Sequence, residues 1–254
     1  MLVTVAATEG SAPRDPGAWM VVFADAVVGT IGGGHLELTA IAQARRRLAG
    51  EPGESQQRYA LGPSLGQCCG GVVHLAFERV GAADAASLQR RLAPQGAPVA
   101  LFGGGHVGTA LVQALAPLPF QLTWIDSRDE IFPPLVPPTV RCEHSDPVQA
   151  AVAQLPAGTS VLVMSFSHAE DLDIVAACLQ RQRAARDLAF IGLIGSKTKW
   201  ATFRHRLVQR GFSETELAQV TCPIGMAGIA GKEPAVIAAS VAAQLLQRRG
   251  ARGI

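Results

Sequence analysis

PVALFGGGHVG, residues 98–108, sets the apolar run Val99 to Phe102 directly before Gly103-Gly104-Gly105-His106-Val107-Gly108. The apolar run predicts a buried strand, and the G-x-G-x-x-G after it opens a helix. Asp126 stands at the end of the next apolar strand, 23 residues after Gly103. A dinucleotide turn requires this arrangement: glycines let the backbone approach a pyrophosphate, the helix N-terminus supplies N–H donors, and the acid accepts ribose hydroxyls. A tight strand-to-helix turn with no ligand would use the same glycines. On the nucleotide reading, Gly103, Gly105, His106, Gly108 and Asp126 contact the ligand. Asp126 favours an unphosphorylated ribose, and Arg128 nearby complicates that preference.

Outward from this turn, apolar strands alternate with amphipathic helices. Strands are predicted at Val99 to Phe102, Gln121 to Ile125, Val140 to His144, Val161 to Phe166 and Phe190 to Ile194. Helices are predicted at about His106 to Leu115, Pro147 to Gln154, Asp171 to Arg183, Lys197 to Arg210 and Pro234 to Arg248. Five strands in this order imply a Rossmann-like doubly wound parallel sheet, an α/β fold. Residues 2 to 79 read differently, as strands Leu2 to Ala7, Trp19 to Phe23, Val27 to Thr30 and Gly71 to Phe77, with one helix from about Leu36 to Leu48. That is a mixed α+β domain. The stretch from Ala82 through Pro94, Gly96 and Pro98 has the turn composition of a linker, so the boundary falls near residue 95, giving domains 1–95 and 96–254.

Composition narrows the function classes. Charged residues are 17% against a usual share of about 25%, and 48% of residues are hydrophobic, which suits a sizeable core and excludes disorder. Net charge is +2, with no basic stripe and a single Tyr, which argues against a nucleic-acid surface. The first residues carry no basic and apolar leader, and no apolar span is long enough for a membrane helix, so a cytoplasmic protein is expected. A strand-like run begins almost at the first residue, which suggests a late start. Five cysteines, two of them adjacent, do not suggest structural disulfides.

The 27 glycines gather in clusters, and two further clusters carry chemistry. Gly62 to Gly71, GPSLGQCCGG, sets the thiols of Cys68 and Cys69 before Gly70 and Gly71. Thiolates suit a soft metal or sulfur handling, whereas the absence of C-x-x-C and of a nearby His pair disfavours tetrahedral zinc; small cysteines packed in a core turn are the alternative. Gly32-Gly33-Gly34-His35 runs into a helix and reads as an anion-holding turn, with Arg14 as its counter-charge or merely a solvated loop residue. Weaker features are Ser167-His168-Asp171, where His168 offers acid-base chemistry or a helix cap explains the residues, Gly195-Ser196-Lys197, and Cys222-Pro223-Ile224-Gly225.

GSAPRDPGAWMVV, GTIGGGHLE, GPSLGQCCGG, FGGGHVG, Asp126-Ser127-Arg128, SFSHAEDL, FIGLIGSKTKW and CPIGMAGIAGKEP, in this order from Leu2 to about Leu246, together resemble the xanthine dehydrogenase accessory factor family. The resemblance implies an accessory-factor domain followed by a Rossmann-type domain, usually as a homodimer. It implies a maturation chaperone without turnover of its own. Such a chaperone binds the molybdenum cofactor, in its molybdopterin form, while a cysteine desulfurase provides the terminal sulfur, and delivers it to a xanthine dehydrogenase or related molybdenum hydroxylase apo-enzyme. On the matching positions the cysteine loop falls on Cys68 and Cys69, with Gly70 and Gly71, at the metal end of the cofactor, while the anion turn read from the residues, Gly33, Gly34 and His35 with Arg14, is the expected cofactor contact at the phosphate end. Many relatives carry Cys where this chain has His35, and most carry an N-terminal helix that this chain lacks. NAD or another nucleotide is the expected ligand of the Rossmann domain. The competing reading is an NAD-dependent oxidoreductase using Gly103 to Gly108, Asp126, and His168 or Lys197 for proton transfer.

Overall fold

The run that opens the second half becomes strand β6, Ala97–Phe102, at the middle of a six-stranded sheet. The computed structural model describes residues 1–62, 70–92 and 96–250. The chain divides into two units, Met1–Ala93 and Pro94–Ile254.

In the second unit, β6 is followed by α3 (His106–Leu115), β7 (Phe120–Asp126), β8 (Val140–His144), β9 (Ser160–Val163), α4 (His168–Ala185), β10 (Phe190–Leu193), α5 (Lys197–Gln209), α6 (Glu214–Leu217), β11 (Val220–Thr221) and α7 (Pro234–Gly250). The strands lie in the order β11-β10-β9-β6-β7-β8, all parallel. Alternate residues of β6 serve opposite faces. Ala100 and Phe102 join α4 and α5 through Leu172, Val175, Leu179 and Phe203, while Val99 and Leu101 join α3 and α7 through Leu111, Leu115, Val241 and Leu245. The chain leaves β6 toward β7 and returns to β9 on the other side, so the strand order reverses between β6 and β9. In doubly wound sheets ligands bind at the carboxyl ends of the strands beside such a reversal.

The first unit comprises β1 (Leu2–Glu9), β2 (Trp19–Val22), β3 (Val27–Gly29), α1 (Gly34–Leu48), β4 (Gln56–Ala60), β5 (Val72–Glu78) and α2 (Ala85–Leu92). Its sheet is antiparallel, in the order β3-β2-β1-β5-β4. Val73, Leu75 and Phe77 alternate inward along β5, and with Val3, Val5, Met20 and Val22 they bury the Leu36, Ala40 and Ala44 stripe of α1. The four-residue spacing of that stripe is one face of a helix.

Several expected elements change. The sheet of the second unit has six strands, because the two-residue β11 lies beside β10. The stretch read as a linker holds α2, and the segment expected as a helix after Pro147 is a 3₁₀ helix, Val148–Gln154. β4, QQRYA, had no expected counterpart: it is an edge strand that buries only Tyr59. Among the described residues no helix is long and apolar enough to cross a membrane.

Candidate cofactor site

Three loops leave the same end of the antiparallel sheet. Glu9 at the end of β1 pairs with Val72 at the start of β5, Ala60 at the end of β4 pairs with the same Val72, and Gly29 at the end of β3 pairs with Met20 in β2. Residues 10–18, 30–33 and the described ends of a third segment, Leu61–Gly62 and Gly70–Gly71, therefore lie at one end of the sheet. Cys68 and Cys69 lie outside the described residues, but both ends of their loop are fixed. The Leu61 N–H donates to the Gly71 carbonyl at 2.8 Å. Gly71 itself packs against the Arg14 loop so closely that a Cβ there would sit 2.4 Å from the Ser11 carbonyl oxygen. Only glycine allows that approach.

Arg14, Asp15, Trp19, Gly29 and Thr30 line a cleft of about 430 Å³. The structure thus brings Arg14 and the residues leading into the triple glycine to one cavity. Gly33 caps α1 and Gly34 and His35 begin it, with the His35 carbonyl accepting from the Thr39 hydroxyl at 2.8 Å. Arg14 forms no ion pair with another described residue.

The triple-glycine turn contains a carboxylate of its own. Glu37 Oε2 accepts from the Thr30 hydroxyl at 2.5 Å, the Ile31 N–H at 2.9 Å and the Gly33 N–H at 3.2 Å. Two backbone donors of the expected anion turn are thus committed to the chain itself. The signal for this was present in the sequence as an acid in the first turn of a helix. Burial alone would raise the Glu37 pKa, but the Thr30 hydroxyl and the N–H groups of Ile31, Gly33 and Gly32 hold it below the ordinary carboxylate value.

Because folding lowers this pKa, its stabilising contribution is complete above the ordinary carboxylate range and disappears as pH falls through the depressed folded value. Glu37→Gln is expected to cost roughly 1 kcal/mol near neutral pH and to lose that difference on acidification below about pH 4. Urea unfolding of both proteins across pH checks this. A difference that stays constant down to acid pH would detach the effect from the charge.

In the second unit the Gly103 to Gly108 turn is built as the sequence implies, between β6 and α3. A Cβ on Gly108 would lie 2.0 Å from the Gly103 carbonyl oxygen, so strand and helix meet there with no room for a side chain. Trp124 Nε1 donates to that same carbonyl at 2.8 Å. Gly105 and His106 are exposed.

Asp126 is buried, with 2% of its surface exposed, and both carboxylate oxygens are engaged. Oδ2 accepts from the Gly104 N–H at 2.6 Å and from Arg128 Nη2 at 2.9 Å. Oδ1 accepts from the Arg128 N–H at 3.0 Å and from Arg128 Nε at 2.9 Å. Burial pushes the Asp126 pKa up, but the Arg128 side chain and the backbone N–H groups of Arg128 and Gly104 outweigh it and hold the acid ionised below its ordinary value. The Arg128 guanidinium also lies 4.6 Å from the centre of the Phe166 ring.

His168 does not join this group. It is the first residue of α4, capped by Ser167, and its ring meets Phe203 of α5 edge-on at 6.2 Å. At the neighbouring strand ends the charge comes from Lys199, whereas Lys197 is exposed. Lys199 Nζ binds Asp171 Oδ2 at 2.6 Å and the Ile194 carbonyl at 2.9 Å, while Asp171 Oδ1 takes the N–H and hydroxyl of Ser165. Cys222 stands beside them with its thiol pushed up by burial, against an opposing effect of Lys199. Among the described residues no three His, Cys, Asp or Glu side chains are grouped as a metal site.

Comparison with known proteins accords with this architecture. The protein is 30% identical over 245 residues to the uncharacterized protein YqeB of Escherichia coli (strain K12). The match takes in 94% of this chain and 42% of YqeB, so the chain spans about two fifths of that relative's length. A crystal structure from Bacillus halodurans, described as a xanthine dehydrogenase, superposes with a TM-score of 0.74 at 20% identity, over 99% of this chain and 91% of the other, and has the same fold. The family described as XdhC Rossmann domain matches residues 99–245, and that described as XdhC and CoxI family matches residues 1–60. Matched over the doubly wound sheet and over the first strands and helix alike, this chain belongs to the XdhC and CoxI family, the xanthine dehydrogenase accessory factors.

Proposed function

We propose that the protein acts in the maturation of a xanthine dehydrogenase or related molybdenum hydroxylase, as a cytoplasmic homodimer that carries the molybdenum cofactor. It shelters the cofactor while a cysteine desulfurase provides the terminal sulfur ligand, and then delivers it to the apo-enzyme. The observation that supports this reading is that the Arg14 loop, the triple-glycine turn and the two ends, Leu61 and Gly71, of the segment that carries Cys68 and Cys69 lie at one end of the antiparallel sheet. The residues fit the group by their chemistry. A cofactor with a phosphate at one end and a soft dithiolene-bound metal at the other is matched by Arg14, which forms no ion pair with another described residue, on a mixed polar and apolar cleft that Asp15 also lines, and by two adjacent thiols. His35, exposed in the first turn of α1, adds an imidazole to the same end. When bound, the cofactor supplies the metal centre that the receiving enzyme uses; this chain's residues would hold and orient it.

The dehydrogenase reading draws on the glycine turn of the second unit but finds less support there. The Asp126 carboxylate is fully engaged, and neither proposed proton carrier lies with it: His168 meets α5 and Lys197 is exposed.

Replacing Cys68 and Cys69 together with Ala is expected to lower co-purifying molybdenum at least about tenfold, since both thiolates are removed and losing even an outer-shell partner typically costs about 10–100-fold in metal affinity. Elemental analysis of protein purified from cells that make the cofactor measures this. Molybdenum unchanged from wild type would remove the cysteines from the site, and a purified protein that sustained hydride transfer to NAD would replace the carrier reading.

A further inference from the structure

The doubly wound unit presents a second binding feature, apart from the cysteine loop. The ends of β7 and β9 flank the end of β6, and two contacts connect the segments that follow them: Ser127 to Glu170 at 2.6 Å, and Arg128 to the Phe166 ring at 4.6 Å. Within this crevice three groups have unused capacity. Phe166 is 67% exposed, unusual for a side chain of that size outside a contact surface. Arg128 directs Nε and Nη2 at Asp126, and Nη1 has no bond to any described residue, with a third of the side chain exposed. Glu170 takes the Ser127 hydroxyl on Oε1, and its Oε2 is buried without a partner among the described residues.

A free ribose diol needs an acceptor of the kind Asp126 provides in many dinucleotide folds. Here every lone pair that Asp126 can readily offer is taken. A diol could bind only by displacing Arg128 from a buried carboxylate, leaving a charge uncompensated. A phosphate on the ribose asks for the opposite, a planar cation with free N–H groups, and Nη1 supplies them. Arg128 and two backbone N–H groups balance the Asp126 charge, so a phosphate is held here by the hydrogen bonds of Nη1 more than by net charge, and the Glu170 carboxylate, which also acts on Arg128, opposes it. The stacked guanidinium and phenyl ring suit a flat base, and the orphaned Oε2 suits the remaining ribose hydroxyl.

We propose that the second unit binds a nucleotide whose ribose carries a phosphate monoester and discriminates against one with a free diol, with Arg128 as the selecting residue, Phe166 as the base platform and Glu170 as the hydroxyl acceptor. The inference rests on the nucleotide reading of the glycine turn. It fixes the ligand class, and the ribose phosphate can stand at the 2′ or the 3′ position.

Calorimetric titration of the full-length protein with 2′,5′-ADP, 3′,5′-ADP, 5′-AMP and NAD tests it. One of the two bisphosphates is expected to bind at least about tenfold tighter than 5′-AMP, the scale of one charge-assisted hydrogen bond, and which of them does so identifies the phosphate position. Arg128→Gln is expected to erase that ratio. Phe166→Ala, a surface change that leaves the fold intact, is expected to weaken every ligand alike. Equal or tighter binding of 5′-AMP or NAD overturns the selectivity while leaving a nucleotide site; no binding by any of the four overturns both; a ratio that survives Arg128→Gln removes Arg128 from the role.

Discussion

Lys199→Met is expected to cost the second unit about 3–5 kcal/mol, the usual result of removing one partner from a buried ion pair. The Lys199 and Asp171 side chains are 12% and 3% exposed and 2.6 Å apart, so solvent cannot take over the lost cation's part. Asp171 would keep the Ser165 N–H at 2.8 Å and the Ser165 hydroxyl at 2.7 Å, two neutral donors for a full charge. The Ile194 carbonyl would lose its ammonium as well. Urea unfolding followed by tryptophan fluorescence in a Trp19→Phe background, where Trp124 and Trp200 of the second unit report, measures the loss. The double variant Lys199→Met/Asp171→Leu removes both charges, and it is expected to recover more than half of the deficit, because the penalty lies in the stranded carboxylate and not in the missing attraction. A single variant that lost less than about 1 kcal/mol would mean that the pair is hydrated and behaves like a surface pair.

Trp124→Ala is expected to be comparably damaging, at about 3–5 kcal/mol, because it empties one of the largest buried volumes in the unit. Trp124 is 1% exposed and meets Phe132 edge-on with ring centres 5.2 Å apart. Its indole N–H has a separate part, holding the Gly103 carbonyl. Trp124→Phe separates the two roles: it retains most of the packing, and it leaves that carbonyl without its donor at a cost of roughly 1–2 kcal/mol. Amide exchange at Gly104, whose N–H donates to Asp126, is expected to quicken in Trp124→Phe more than exchange in β6. If the two change in proportion, the indole N–H has no specific hold on the turn.

The legible parts of the fold were those that bury both faces. β6 and β9 are continuous apolar runs because helices cover them on either side, so they stand out without context. β4 could not be read this way: Gln56, Gln57 and Arg58 face solvent or polar neighbours, and the strand exists because β5 offers it a free edge. β11 is two residues long and is held in place by Ile191 and Gly192, so no periodicity could reveal it. α2 was hidden by its flanks, where Pro94, Gly96 and Pro98 mark a break and draw attention from the eight helical residues before them.

The site divides in the same way. Glycine clusters and paired cysteines are chemically distinctive and can be found one residue at a time. What fills those turns depends on partners that the sequence does not pair. Asp171 and Lys199 are 28 residues apart, and Ser127 and Glu170 are 43 apart. Asp126 and Arg128 are nearly adjacent, but their union depends on a side-chain geometry that leaves the acid with no capacity for a ribose. His168 is exposed at the start of α4, edge-on to Phe203 and in one cleft with Ser196 and Lys199, neighbours that its place in the chain does not reveal.

On the proposed carrier role, the Glu37 carboxylate in the triple-glycine turn bears on how a bound group is released. Loops that owe their shape to a ligand collapse when it departs, and the work of rebuilding them weakens the next capture. Here Thr30, Ile31 and Gly33 are already braced by Glu37 of the helix that follows them, so the turn keeps its contour whether or not an anion is near. On the carrier role proposed above, capture and hand-over at that end of the sheet would proceed against a standing surface, with release set by the departing contacts and not by refolding of the turn.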